Sequence, residues 1–326
     1  MAERGSVVIT GASRGLGLAS AAHLYGKGWT VVAAVRSPDV GLERLRAATG
    51  AAAGDPRLVA VRLDLDDPPS IVAAVGAIGE AVGPPDALVH NAGIAAVGCV
   101  EEMPADVWAH IFSTNFFGPV VLTQHLLPAM RAAGRGRIVV VSSQGGVRGM
   151  PAIGAYSAAK GAVERWAESL SHEVAPFGIG VTILVAGTFK TDILELTQTY
   201  ADPDGPYAAH HAGLIRTSRW ILRAARPPAR FAPALERALT DRTPFARHAV
   251  GPDARILLLA SRLLPARLFQ RLVGRALRLP PPWTLRTDPC GWPPWPLGSK
   301  GGKRSTDRCW VRGGGRRHGG RSRARA

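Results

Sequence analysis

The chain has 326 residues, 46% of them hydrophobic, and a formal net charge of +16. That length admits two domains or one large one, and the hydrophobic fraction is enough for a sizeable core. Three cysteines (Cys99, Cys290, Cys309) exclude a disulfide framework and point to a reducing, cytoplasmic compartment. The opening residues carry no apolar leader, and no run reaches the ~18 apolar residues of a membrane span. The charge is uneven. Residues 1–215 hold 15 Lys/Arg and 19 Asp/Glu, residues 216–282 hold 14 Arg and 3 acids, and residues 283–326 hold 11 Lys/Arg and 2 acids. The basic excess belongs to the C-terminal third.

In chain order, an apolar run at 6–9 ends in a glycine-rich turn (TGASRGLG, 10–17), and Leu16, Ala19 and Leu24 follow at helical spacing. Runs rich in β-branched residues recur at 29–35, 57–63, 86–90, 136–143 and 178–186. Stretches with helical periodicity lie between them at 68–81, 104–132 and 155–176. Strands that alternate with helices and lack in/out polarity predict a parallel sheet buried on both faces. Beyond residue 187 the pattern predicts helical pieces around 190–199, 207–225 and 229–240, a short strand at 247–250, and Arg-rich helices at 253–263 and 266–278. From Pro280 onward Pro, Gly, Arg and Trp dominate, which predicts disorder. The expected organisation is therefore a folded domain over 1–252, a basic helical extension over 253–279 and a tail over 280–326.

Two local patterns carry chemistry. The glycine-rich turn sits between the first strand and first helix, where glycines let the backbone approach a phosphate and the helix N-terminus favours an anion. Tyr156 and Lys160, in YSAAK, stand one helical turn apart. A cation beside a phenol favours the phenolate, so such a pair suits proton transfer.

With these residues the chain resembles the short-chain dehydrogenases/reductases. The resemblance rests on TGASRGLG (10–17), DLDD (64–67), HNAG (90–93), STNFFG (113–118), VVSSQGG (140–146), YSAAK (156–160) and VAGTFKTD (185–192), in that order. It implies a single doubly wound, Rossmann-type α/β domain, with C-terminal helices and a disordered tail added. It also implies hydride transfer between a nicotinamide and an alcohol or ketone. Tyr156 is then the general acid/base, and Lys160 lowers its pKa and holds the nicotinamide ribose. Ser143 binds the substrate oxygen, at a spacing that favours it over Ser142, and Asn115 holds a proton-relay water. Gly11, Ser13, Arg14, Gly15, Leu16 and Gly17 would hold the pyrophosphate end. Asp64, Leu65, Asn91, Ala92 and Gly93 would line the adenosine crevice, and Gly187, Thr188 and Thr191 would meet the carboxamide. Two positions depart from the family pattern: His90 replaces an Asn, and Ala186 replaces a Pro.

At the end of strand two an acid would bind a ribose 2′-hydroxyl. Val35 and Arg36 stand there instead, with Arg14 in the adjacent turn, and two guanidinium groups suit the 2′-phosphate of NADP(H). Met150, Pro151, Ile153, Phe189, Leu194, Tyr207 and Leu214 predict an apolar alcohol or ketone as substrate. His210 and His211 read as a solvated pair, and no metal site is expected. The amphipathic segment 253–279 places Leu268, Leu272, Ala276 and Leu279 on one face and Arg267, Arg271, Arg275 and Arg278 on another. Such a helix packs on the domain or on a second copy in a homo-oligomer, or lies on an anionic membrane surface. No specific nucleic-acid partner is expected. The competing reading is a catalytically idle dinucleotide-binding or membrane-surface scaffold that acts through the basic C-terminal third.

Overall fold

The computed structural model describes residues 4–193 and 197–277, and for Arg219, Trp220 and Ile221 the backbone alone. The expected tail (280–326), together with Leu194, Arg278 and Leu279, lies outside the described residues.

Seven parallel strands make the main sheet: β1 (Ser6–Thr10), β2 (Thr30–Val35), β3 (Leu58–Arg62), β4 (Ala87–His90), β6 (Gly136–Ser143), β7 (Ile179–Ala186) and β9 (Phe245–Val250). A separate two-stranded pair joins β5 (Ala96–Val97) to β8 (Gln198–Thr199). The sheet order is β3-β2-β1-β4-β6-β7-β9, so the winding reverses between β1 and β4. In open parallel sheets a ligand crevice lies at such a reversal, outside the carboxyl ends of the strands.

Helices cover both faces. Val7 and Ile9 point to one side, where α1 (Gly15–Gly26), α2 (Pro38–Thr49) and α9 (Ala232–Thr240) contribute Leu24, Leu45 and Leu235. Val8 points to the other, where α3 (Pro68–Val82), α5 (Gly118–Ala132) and α7 (Gly154–Val174) contribute Ile71, Leu122 and Val163. This opposite orientation of successive residues is the strand's period of two. It explains why the central strands are apolar throughout.

The apolar stretch 104–132 is one helical rod with a wide turn in it: α4 (Ala105–Phe112) passes through a π-helical turn (Ser113–Phe117) into α5. α2 was not legible from periodicity, because only Gly41 and Leu45 are buried along it. Its ends are set by Pro38 in the first turn and by Gly50, left-handed at φ 71°. The helix expected around 190–199 is absent from the described residues there. Gln198 and Thr199 are extended and pair with Ala96 and Val97 instead. After β7 come α8 (Ala208–Arg223), α9 and β9, then α10 (Pro252–Leu263) and α11 (Ala266–Ala276). In α11 the buried residue is Val273, while Leu268 and Leu272 of the expected packing face are exposed.

Candidate active site

The turn between β1 and α1 closes tightly on the end of β4. Gly11 has φ +69°, and a Cβ on it would lie 2.9 Å from the Cα of Ala92. A Cβ on Gly17 would lie 2.3 Å from the Gly11 carbonyl oxygen. Thr10 Oγ1 accepts from the backbone N–H groups of Asn91 and Ala92, both at 3.0 Å. Asn91 Nδ2 donates to the carbonyls of Thr10 at 2.9 Å and Gly11 at 3.3 Å. Asn91 and Ala92 are thus tied to Gly11 and Gly17. Arg14 occupies the N-cap of α1 without capping it, and the first turn carries no acid. The opening N–H groups of α1, from Gly15 and Leu16 onward, have no side-chain acceptor, which suits a phosphate.

Arg36 is exposed just past β2. A third guanidinium joins it: Arg44 of α2 donates through Nη1 to the Ser13 carbonyl at 3.4 Å. The sequence reading missed Arg44 because it missed α2. Past β3, the Asp64 carboxylate accepts from the Asp66 N–H at 3.1 Å, and its own N–H donates to Ser70 Oγ at 2.9 Å. Leu65 is buried against Gly118, where a Cβ would lie 2.4 Å from the Leu65 carbonyl oxygen.

At the other end of the crevice, Ser143 closes β6 while Ser142 faces the opposite way. Ser142 Oγ donates to the buried Glu164 carboxylate at 2.6 Å, and Arg247 of β9 holds the other oxygen of that carboxylate. Ser142 is therefore structural. Tyr156 and Lys160 project from α7. Lys160 is buried, its Nζ donates to the Val141 carbonyl at 2.9 Å, and it lies 5.9 Å from the centroid of the Tyr156 ring. Burial pushes the Tyr156 phenol above its ordinary pKa, and a hydrogen bond from Ser143 pulls it back in part. Burial pushes the Lys160 ammonium down to about 8, against the favourable charge of Glu164. The expected depression of the phenol by Lys160 is therefore not present in this geometry. Desolvation is the larger effect, and the ammonium is directed at a carbonyl.

Asn115 lies buried in the π-helical turn and clamps Ile94 in both directions: Oδ1 accepts from its N–H and Nδ2 donates to its carbonyl, each at 2.8 Å. That clamp brings Gly93 to the catalytic end, where a Cβ would lie 3.3 Å from Asn115 Oδ1 and 3.5 Å from Lys160 Nζ.

Beyond β7, Asp253 of α10 organises the chain, a role the sequence reading did not assign. Its Oδ2 accepts from the Thr188 N–H at 2.6 Å and from Gln144 Nε2 at 2.7 Å. A Cβ on Gly187 would lie 2.1 Å from Oδ1. Ala186, in place of the family's Pro, continues β7 and pairs with Ser143 and Val250. Thr191 reaches the glycine-rich turn, 3.4 Å from where a Gly15 Cβ would stand.

One departure from the family pattern and two further expectations meet the structure here. His90 is buried, and its Nε2 bonds Thr123 Oγ1 at 2.8 Å, but Nδ1 has no partner among the described atoms. Phe189 leaves the expected substrate wall for the core, edge-on to Phe231 at 5.6 Å. His211 is not solvated: it is buried, and its Nε2 bonds Glu102 at 2.6 Å. Glu102 also accepts from the Cys99 and Asp202 N–H groups, and Tyr207 donates to Glu101 at 2.7 Å. Together with the β5–β8 pair, these contacts clasp residues 198–211 to the segment 96–103. Burial pushes the Cys99 thiol up to about 11, so it is neutral there.

The short chain dehydrogenase family model matches residues 6–201. The chain is 32% identical to a 3-ketodihydrosphingosine reductase of Bacteroides thetaiotaomicron over 268 residues, 81% of this chain and 94% of that one. A short-chain dehydrogenase from Streptomyces avermitilis superposes with a TM-score of 0.71 at 34% identity, covering 85% of this chain and 99% of its own. A 3-ketoacyl-(acyl-carrier-protein) reductase from Brucella melitensis, complexed with NADH, does so with a TM-score of 0.62 at 26% identity, covering 77% and 99%. The matched range takes in the glycine-rich turn and the positions of Ser143, Tyr156 and Lys160. The chain belongs to the short-chain dehydrogenase/reductase family of oxidoreductases.

Proposed function

We propose that the protein is an NADP(H)-dependent oxidoreductase that interconverts an apolar ketone and its alcohol, with Tyr156 as the proton donor and acceptor. The observation that carries this reading is the grouping of the Ser143 and Tyr156 hydroxyls beside the buried Lys160 ammonium. The crevice residues fit a dinucleotide. The uncapped N-terminus of α1 suits its pyrophosphate. Lys160 keeps N–H groups beyond the one given to Val141, enough for ribose hydroxyls. Arg14, Arg36 and Arg44 supply cations for a 2′-phosphate.

When bound, the nicotinamide supplies or takes the hydride. The rest of the chemistry belongs to this chain. Ser143 donates to the carbonyl oxygen and stabilises the negative charge that develops on it. Tyr156 then delivers its proton to that oxygen. Burial holds the phenol above its ordinary pKa, so it carries its proton at neutral pH and can give it up as the charge on the oxygen develops. Lys160 keeps positive charge beside the phenolate that remains. Asn115 fixes the backbone at Ile94 and Gly93, next to Lys160. Met150, Pro151 and Ile153 are half-buried beside the site, which supports an apolar substrate. The sphingoid ketone in the name of the Bacteroides relative supports the same class.

The test is a panel of aliphatic, sphingoid and steroid-like ketones assayed with NADPH and with NADH. Wild type is expected to turn over an apolar ketone with NADPH preferred. Tyr156→Phe should bind NADPH normally and lose about 10²–10⁴-fold in kcat. Retention of most of the activity would remove Tyr156 from the proton path, and a preference for NADH would remove the 2′-phosphate reading.

A further inference from the structure

We propose that α10 and α11 form a docking surface for anionic phospholipid bilayers, independently of which cofactor or substrate the crevice takes. α10 buries Ala254 and Leu258 and turns Ile256 (70% exposed), Leu259 (59%) and Leu263 (70%) outward on one strip. α11 buries Val273 and exposes Leu268 (45%) and Leu272 (44%). A soluble surface has no use for five large aliphatic side chains on two consecutive helices, and such patches mark interaction sites. Arginines flank both strips: Arg255 and Arg262 on α10, and Arg267, Arg271 and Arg275 on α11 are all exposed. Among the described residues none of the five has a carboxylate within 4.0 Å.

The charge decides the occupant. A two-fold contact with a second copy would set this arginine row against itself. The only acid on the two helices is Asp253, which is already engaged by Thr188 and Gln144. An anionic lipid surface supplies the missing counter-charge and an apolar layer for the leucines at once. The hydrogen bonds to Asp253 also tie α10 to the loop that follows β7, so the docked face is rigidly connected to the crevice.

The experiment is sedimentation of the full-length protein with phosphatidylcholine vesicles, with and without phosphatidylglycerol. Wild type should sediment with the anionic vesicles at low salt and not with phosphatidylcholine alone. Ile256→Ser/Leu259→Ser/Leu263→Ser, at exposed positions, should keep its melting temperature and bind on the order of tenfold more weakly. Arg255→Gln/Arg262→Gln should lose about fivefold per arginine, an effect that salt erases in the wild type. Three results would overturn the proposal: no sedimentation of wild type, equal binding by the triple-serine variant (charge elsewhere in the chain then suffices), or a lipid-free wild-type dimer that the triple-serine variant converts to monomer.

Discussion

At the scale of single residues, His90 and Arg36 carry consequences that can be measured. Thr123 Oγ1 spends its proton on the Pro119 carbonyl at 2.8 Å, so it must accept from His90 Nε2–H, and Nδ1 is left as an unmatched buried acceptor. Burial, with the Lys160 charge nearby as the smaller cause, pushes the imidazolium pKa down to about 3. The unfolded chain takes up this proton near pH ~6.5, whereas the native state resists it. Native stability from this residue is therefore complete above ~6.5 and is lost as pH falls toward 3. Between pH ~6.5 and ~5 the loss amounts to about 2 kcal/mol. His90→Asn should remove that slope, as checked by denaturant unfolding at the two pH values; an unchanged slope would mean that another group titrates. The clean test of the 2′-phosphate reading is Arg36→Ala, since Val35 itself is buried beneath Gly41 of α2. A charge-assisted hydrogen bond is worth roughly 1.5–3 kcal/mol, so NADPH should bind about ten- to a hundredfold more weakly while NADH changes little. Equal changes for both cofactors in calorimetric titration would show that Arg36 does not meet the phosphate. Both residues were visible in the sequence, as a departure from a motif and as a cation at a strand end. Arg44 was not, because it reaches Ser13 only after α2 folds back over the turn.

At the scale of elements, the clasp between the β5 segment and α8 is the least legible part of the site. Two-residue strands leave no periodic signature, and the Glu102–His211 bond joins positions 109 residues apart. The clasp holds residues 198–211 across from the catalytic end of α7, because Ile153 bridges to Gly98 at the base of the same segment. Glu102→Gln should loosen it. The histidine pair loses its charge assistance, and the effect belongs to substrate capture rather than to proton transfer. The expected outcome is a KM for ketone raised severalfold with kcat within about twofold, as steady-state kinetics would show for an interaction equal in ground and transition states. A fall in kcat at unchanged KM would place Glu102 in the chemistry instead. The π-helical turn makes the same point from the other side. Its helical character was legible from 104–132, but the widening that turns Asn115 toward Ile94 depends on the backbone it clamps. In α11 periodicity marked the apolar face with Leu268 and Leu272 but not what it meets: Val273 is buried and Phe269 lies under the Arg148 guanidinium, while the two leucines stay exposed.

At the scale of the whole molecule, the acidic first two thirds and the basic last third separate along the chain as they did by counting. The sheet and its helical layers are complete within the described residues up to Ala276. Removal of residues 280–326 is therefore expected to leave ketone turnover and melting temperature unchanged, since that stretch lacks the aliphatic periodicity that builds a core. A drop of several degrees, or a large loss of kcat in the shortened chain, would show that it packs on the enzyme. No helix among the described residues is long and apolar enough to cross a membrane. By itself the sequence determined the α/β alternation, the parallel sheet, the glycine-rich turn and the Tyr156/Lys160 pair, while Ser143 was named through the family resemblance. These depend on local spacing and on strands whose two faces are both buried. Tertiary structure alone decided the role of Asp253, the engagement of Ser142 with Glu164, the fate of Phe189 and His211, and the raised phenol pKa. Each of these depends on which distant element arrives beside the residue and how much water it displaces, and spacing along a chain carries no record of either.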